Sequence, residues 1–233
     1  MDLLRAAAVI AVRGEGDSFE VLLIERAANL SMAGFWAFPG GKEEPADIDA
    51  AAALVTGQHA SHQRIPAALQ HLVVTAQREF LEEVGAEVAP DGPAMLDVLV
   101  PAGHWITPRN LPRRYNTIYY LAHLPDATLK PDPNEVADAR WWQPERYLQA
   151  AGDGSVPTSP PIIRTMIDLA QLDGTGAALR WAHALTISPV EPVLASSDSL
   201  LHVRFPGHPD HPETTFAFGA PWELRSSGGR WEW

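Results

Sequence analysis

Arg78-Glu79-Phe80-Leu81-Glu82-Glu83-Val84-Gly85 is the most informative segment of this chain. On a helix, Glu79, Glu82 and Glu83 stand at positions i, i+3 and i+4 and therefore share one face. Carboxylates so near to one another repel, so this helix face is favourable only when positive charge lies against it. A hard divalent cation, which prefers carboxylate oxygens, meets that need.

A solvated acidic face on an ordinary amphipathic helix is the alternative for this stretch taken alone. The upstream segment Phe38-Pro39-Gly40-Gly41-Lys42 changes the balance. A glycine turn of this kind lets the backbone approach a ligand closely. The two segments together therefore favour a metal-binding function.

Both segments resemble the signature of the Nudix hydrolases, G-x5-E-x7-R-E-U-x-E-E-x-G-U, in which U is a bulky apolar residue. Gly41 begins the pattern, and Asp47 stands at the position of its first glutamate. Residues 78–85 fill the second half in register, and Ala86 fills the last position. Residues 48–77 lie between the halves, where the family has only seven residues, and this predicts an insertion inside the signature.

The resemblance implies a metal-dependent enzyme that hydrolyses the phosphoanhydride bond of a nucleoside diphosphate linked to another moiety. Mg²⁺ or Mn²⁺ is the implied cofactor. Its implied ligands are the carbonyl group of Gly40 and the carboxylates of Glu79, Glu82, Glu83 and Glu135. Glu135 matches a family position on a downstream loop, with a solvated loop glutamate as the alternative. Either Glu83 or Glu135 is implied as the general base.

Arg78 has a different implied role, since in the family it pairs with an acid of the signature and orients the carboxylates. Asp47 is that acid by position, although it is one carbon shorter than glutamate. An ordinary surface arginine is the alternative. The expected catalytic residues are Arg78, Glu82, Glu83 and Glu135.

The segment Leu22–Ala27, followed by Gly34 and the glycine turn, partly resembles the signature of the coenzyme A diphosphatases. A branch of that group also carries an insertion inside the Nudix signature. The expected substrate is therefore coenzyme A or an acyl derivative. ADP-ribose or a dinucleotide is the alternative substrate, and a non-catalytic Nudix-fold module that binds a nucleotide is the alternative class.

Cationic and aromatic side chains are the candidates for holding such a substrate. Neighbouring arginines could clamp a phosphate through paired hydrogen bonds. An aromatic ring could stack on an adenine, with core packing as the alternative. The candidate substrate-binding residues are Arg26, Trp36, Arg113, Arg114 and Tyr115.

Composition limits the remaining classes of function. The formal net charge of −12 argues against non-specific binding to nucleic acid or to an anionic membrane. The chain has no cysteine, which excludes disulfides and thiol chemistry. No segment is typical of a membrane span or a targeting signal. These features predict a cytoplasmic protein that binds neither nucleic acid nor membrane. The family resemblance implies that its partner is a small nucleotide.

Alternating strand and helix patterns predict an α/β protein. The resemblance implies the Nudix α/β/α sandwich with a mixed sheet. We assign residues 1–152 to the Nudix domain, with the insertion within residues 48–77. Residues 153–233 form a helical and β-rich C-terminal extension packed on the Nudix core. Assembly into a homodimer is a further role open to this extension.

Three local predictions can be tested by a structure. The pattern predicts one helix from Pro66 to Val84, closed by Gly85. It predicts strands near residues 94–101 and 115–123. It also predicts a terminal hairpin across residues 226–229.

Overall fold

The computed structural model describes residues 3–52, 54, 59–89, 91–125, 127–197, 200–215 and 219–233. Within these ranges, eight strands form a mixed sheet and four more form a second sheet. The strands of the first sheet are β1 (Leu4–Arg13), β2 (Glu20–Arg26), β3 (Trp36–Ala37), β4 (Gly40–Lys42), β5 (Val100–Ile106), β6 (Tyr115–His123), β7 (Val136–Trp142) and β8 (Pro189–Val190). Those of the second are β9 (Val193–Ser197), β10 (Leu200–Arg204), β11 (Glu223–Ser227) and β12 (Arg230–Glu232). The helices are α1 (Pro45–Ala51), α2 (Leu72–Val84), α3 (Met95–Val98), α4 (Pro144–Asp153), α5 (Pro160–Leu169) and α6 (Thr175–Ala184).

Strand β1 runs through the middle of the first sheet. It is parallel to β6 and antiparallel to β2 and β4. Successive side chains of a strand point to opposite faces, and both faces of β1 are buried. Its apolar residues divide between two separate clusters, with Ala8, Ile10 and Val12 in one and Ala7, Val9 and Ala11 in the other. The sheet is therefore covered on both sides, and the predicted α/β sandwich is confirmed.

Helix α2 covers one of these faces. Its apolar side chains recur at helical spacing and are buried, as the sequence predicts. Gly85 ends the helix with φ of 66°, a left-handed conformation that glycine adopts without strain. The predicted start at Pro66 is wrong, because Ala67–Leu69 form a separate 3-10 turn and the helix begins at Leu72. Residues 53 and 55–58 of the predicted insertion lie outside the described residues.

The strand predicted near residues 94–101 begins too early. Met95–Val98 form the single helical turn α3, and β5 begins only at Val100. A helical turn brings Met95, Leu96 and Leu99 to one side, where all three are buried in the cluster under α2. A strand would have pointed neighbouring apolar residues to opposite faces. The predicted strand at residues 115–123 is confirmed as β6.

Helices α5 and α6 cover the other face of the first sheet. Side chains of both helices join one apolar cluster with the second sheet. Strands β11 and β12 form the predicted terminal hairpin, in which Ser227 pairs with Arg230. Every helix in the described part of the chain is too short or too polar to cross a bilayer.

Candidate metal and active site

The glycine turn packs directly against the acidic face of α2. The backbone N–H of Gly40 donates a hydrogen bond of 2.7 Å to Oε2 of Glu83. A Cβ atom on Gly41 would lie 2.5 Å from the carboxylate of Glu79, so any side chain there would displace that carboxylate. A Cβ atom on Gly40, whose φ is 155°, would collide with the backbone of β1. The turn and the helix therefore form one site.

Two carboxyl groups of this site are buried, so their ionised forms are unfavourable. Glu79 is 9% exposed and Glu83 is 3% exposed. Burial raises the pKa of Glu83 to about 8; nearby Glu79 and Glu135 add to the shift, while the Gly40 hydrogen bond opposes it. Burial also raises the pKa of Glu79, although Arg78 opposes the change. The site therefore holds carboxyl groups that ionise with difficulty unless positive charge is added.

Arg78 lies at the centre of an ion-pair network. Its Nε and Nη2 atoms donate to the two oxygens of Asp47 at 2.8 and 2.9 Å. Its Nη1 atom lies 3.0 Å from Oε1 of Glu79 and 2.7 Å from Oε2 of Glu82. The Nη2 atom also donates to the carbonyl group of Lys42 at 3.0 Å. The bond to Asp47 is the main cause that raises the pKa of Arg78, so the guanidinium stays charged.

Asp47 is 2% exposed, and four hydrogen bonds hold its carboxylate. Besides the two from Arg78, it accepts one from the N–H of Glu44 and one from Oγ1 of Thr75, both 2.9 Å long. Burial acts to raise the pKa of Asp47, but these bonds outweigh it and hold the pKa below its usual value. Asp47 is therefore an ionised anchor for Arg78.

Glu82 and Glu135 border the buried pair. The side chain of Glu82 is 54% exposed and turned toward Arg78. Glu135 is half-buried, and the N–H of Ala27 donates to its carbonyl group at 2.9 Å. Its charge contributes to the raised pKa of both Glu79 and Glu83, so it lies beside them. The structure thus brings all four predicted glutamates to one region.

The chemistry of these donors fits a hard divalent cation. Among the residues that the structure describes, no group of three or more histidine, aspartate or glutamate side chains is already arranged around an ion position. The pairing explains this, since Glu79 and Glu82 turn to Arg78 while Glu83 turns to Gly40. A dication beside these carboxylates would favour their ionised forms and so oppose the burial, and the weaker repulsion, that raise the pKa values of Glu79 and Glu83.

Two of the predicted substrate-binding residues adjoin this site. Arg26 lies close enough for its charge to oppose the burial that raises the pKa of Glu83. Trp36 is 6% exposed and packs edge-on against Trp142, with ring centroids 5.5 Å apart. The guanidinium of Arg140 lies 5.2 Å from the centre of the Trp36 ring. Trp36 thus occupies the packing position that the sequence analysis gave as its alternative.

The other three predicted substrate-binding residues lie farther along the sheet. Tyr115 pairs with Leu4 of β1, whereas Gly40 pairs with Ala8. Four residues of a strand span roughly 13 Å, so Tyr115 is well separated from the glycine turn. The structure does not bring this group directly to the carboxylates.

The two arginines of that group differ in their surroundings. Arg113 is exposed. Arg114 donates to Oε1 of Glu191 at 2.6 Å and to the carbonyl group of Thr107 at 3.0 Å. A phosphate at Arg114 would therefore compete with Glu191.

Thr75 is the site residue that the sequence analysis missed. It is fully buried and bonds to Asp47. It precedes Arg78 by three residues, which places both side chains on one face of a helix. The spacing of Thr75 and Arg78 could have indicated a shared partner. Only the structure shows that this partner is Asp47.

The acidic helix and the segments after it resemble a known family. Residues 70–161 match the model of the NUDIX domain family. A NUDIX hydrolase from Alicyclobacillus acidocaldarius is 23% identical, with a TM-score of 0.67 over 77% of this chain and 96% of that one. No curated protein matches the sequence.

Two further solved structures are similar at lower scores. The NUDIX domain of Shewanella oneidensis NrtR, complexed with ADP ribose, is 16% identical with a TM-score of 0.49 over 73% of this chain and 88% of that one. The MutT protein from Methanosarcina mazei Go1 is 19% identical with a TM-score of 0.44 over 72% and 93%. The Alicyclobacillus structure shows that this chain has a Nudix-like fold, and residues 70–161 are similar to a NUDIX domain.

Proposed function

We propose that this Nudix domain hydrolyses the phosphoanhydride bond of a nucleoside diphosphate linked to another moiety, with Mg²⁺ or Mn²⁺ as cofactor. The contact between the glycine turn and the acidic helix carries the proposal: Gly40 bonds Glu83, and Gly41 leaves space for Glu79. Nudix hydrolases generally use divalent metal ions. The ligands that we propose are the carbonyl group of Gly40 and the carboxylates of Glu79, Glu82, Glu83 and Glu135.

The bound cation would supply neutralisation of phosphate charge and a lower pKa for a water molecule at the site. Arg78, anchored on Asp47, orients Glu79 and Glu82. Glu83 is buried and accepts a hydrogen bond from the N–H of Gly40, which fixes its position. It is the first candidate for general base. Glu135 is half-buried on the loop before β7 and is the second candidate for general base.

Coenzyme A or an acyl derivative is the substrate that we favour. Support comes from the segment Leu22–Ala27 with Gly34, which partly resembles the coenzyme A diphosphatase signature. ADP-ribose or a dinucleotide is the second candidate. Arg26 is the candidate whose charge affects Glu83. All five substrate-binding candidates remain predictions: Arg26, Trp36, Arg113, Arg114 and Tyr115.

The same proposal includes the organisation of the chain. Residues 1–152 are the Nudix domain, residues 48–77 contain an insertion within its signature, and residues 153–233 are a C-terminal extension. A cytoplasmic location stays a prediction from composition.

Replacing Glu82 by glutamine tests the proposed site. We expect Glu82→Gln to abolish Mg²⁺- or Mn²⁺-dependent turnover and to leave the fold intact, because the side chain is largely exposed. Turnover is measured as release of two phosphate-bearing products from coenzyme A, ADP-ribose, NADH and diadenosine polyphosphates. Glu87→Gln, at an exposed position beyond the helix, is the matched control. Wild-type rates in Glu82→Gln would refute the site, whereas cleavage of ADP-ribose alone would refute only the preferred substrate.

A further inference from the structure

Asp47 pairs with Arg78 although its side chain is shorter than that of the residue usual at this position. The family signature has glutamate at this position, and aspartate is one carbon shorter. Nevertheless, both of its oxygens accept hydrogen bonds from Arg78, at 2.8 and 2.9 Å. A buried carboxylate needs a full set of partners, because water does not reach it. The remaining partners of Asp47 therefore determine whether it can hold Arg78.

Thr75 is the side-chain partner that completes this set. Its Oγ1 atom donates to Oδ2 of Asp47 at 2.9 Å, and its side chain is fully buried. Threonine has no advantage in the interior of a helix, where its branched side chain loses rotational freedom. Burying its hydroxyl group is also unfavourable without a hydrogen bond. The bond to Asp47 is thus the physical reason for threonine at this position.

We propose that Thr75 is a positioning residue, whose hydroxyl group holds the short Asp47 side chain where it grips Arg78. Arg78 then orients Glu79 and Glu82. Thr75 is fully buried and bonded to Asp47, so it acts through Asp47 and Arg78. The inference rests on the proposed function for its catalytic consequence, but the contact between Thr75, Asp47 and Arg78 is independent of it.

The location of Thr75 adds to the argument. It lies within residues 48–77, the segment that separates Asp47 from Arg78 in the sequence. Helix α2 carries Thr75 and Arg78 on one face, and α1 carries Asp47. The hydroxyl group of Thr75, near the end of residues 48–77, therefore bonds to Asp47, the residue just before this segment.

Thr75→Val tests the inference, because valine has nearly the same shape but no donor. We expect the affinity for Mn²⁺, measured by electron paramagnetic resonance of the unbound ion, to fall roughly tenfold or more, as for loss of a hydrogen bond to a charged group. We expect kcat to fall while KM is unchanged, since only the orientation of the carboxylates is lost. Thr75→Ser, which keeps the hydroxyl group, should restore both. Thr165→Val, at a buried position in α5, is the matched control and should change neither.

Lengthening the acid provides a second test. In an Asp47→Glu background, the carboxylate reaches Arg78 without help, so adding Thr75→Val should have a much smaller effect than in the wild type. Equal effects in both backgrounds would overturn the inference. A Thr75→Val protein that is only less stable, with wild-type Mn²⁺ affinity and kcat, would overturn it as well.

A magnetic resonance measurement separates this inference from the proposed function. The Nε–H proton of Arg78, assigned with Arg78→Lys, should exchange slowly with solvent in the wild type and faster in Thr75→Val. An unchanged exchange rate would refute the role of Thr75 even if the enzyme is active. A wild-type protein that binds no Mn²⁺ and cleaves no substrate would refute the proposed function, while faster exchange would still support the contact.

Discussion

Glu83 shows how one residue can reduce stability for the sake of a site. Burial raises its pKa from the ordinary value of 4.5 to about 8. Between these values, the folded metal-free protein holds a proton that the unfolded chain has lost. The free energy of unfolding therefore falls as pH rises through this window. A bound cation would remove the penalty, because it favours the ionised carboxylate.

Glu83→Gln should flatten that pH dependence. The amide keeps an oxygen for the Gly40 N–H but has no proton to lose. We expect the metal-free variant to be more stable than the wild type at pH 8, with a slope that differs by at most about 1.4 kcal/mol per pH unit between pH 5 and 8. Urea unfolding in the presence of a chelator measures this. Mn²⁺ should stabilise the wild type more than the variant, and an unchanged slope in the variant would contradict a raised pKa.

Among the helices and strands, sequence patterns predicted correctly those features that depend on neighbouring residues. The buried stripe of α2, its end at Gly85 and strand β6 follow from periodicity and from glycine geometry. The start of α2 could not be predicted in this way, because residues before it contact residues far away in the sequence. The imidazole of His71 bonds Glu43 after β4, and Arg5 reaches the carbonyl group of Ala68.

Some features of the candidate site could likewise be predicted from the sequence, and others could not. Motif spacing predicted the glutamates and the glycine turn, since their chemistry requires fixed separations along the chain. It could not predict that Trp36 packs against Trp142, or that Glu191 holds Arg114. These contacts join residues more than 70 positions apart, and no local pattern encodes them.

Arg64 connects residues 48–77 to the C-terminal end of helix α6. Its Nη1 atom donates to the carbonyl groups of Ala182 and Leu185, at 2.7 and 3.0 Å. Its Nη2 atom donates to the carbonyl group of Pro101 at 3.0 Å. A cation is favourable at the C-terminus of a helix such as α6, where carbonyl groups lack partners within the helix.

Arg64→Ala should therefore destabilise the protein by about 1–3 kcal/mol, the range for leaving half-buried polar groups without a partner. Arg64→Lys should recover only part of the loss, since an ammonium group cannot reach three carbonyl groups in fixed directions. Thermal unfolding with the exposed Arg180→Ala as control measures this difference. Equal stability of Arg64→Ala and the control would show that the contact is not maintained in solution.

At the scale of the whole molecule, the C-terminal residues complete the core. Ile163, Met166 and Leu169 of α5 are fully buried in the same cluster as Ile10 and Val12 of β1. The second sheet adds to that cluster through Val203 and Leu224, and Phe205 follows β10; all three are also fully buried. One face of the first sheet is therefore covered by residues beyond 152. The Nudix domain that we propose depends on them.

Truncation after residue 152 should consequently abolish cooperative folding. The cut removes α5 and α6 and exposes the apolar face of the first sheet, which favours aggregation. Truncation after residue 187 keeps both helices and removes only β8 and the second sheet, so it should retain a weakened transition. Thermal melting and gel filtration of both forms measure this, and the full-length elution volume reports whether the protein is a homodimer. A monomeric, cooperatively melting 1–152 fragment would show instead that the extension is dispensable to the fold, and that its burial on the sheet contributes little to stability.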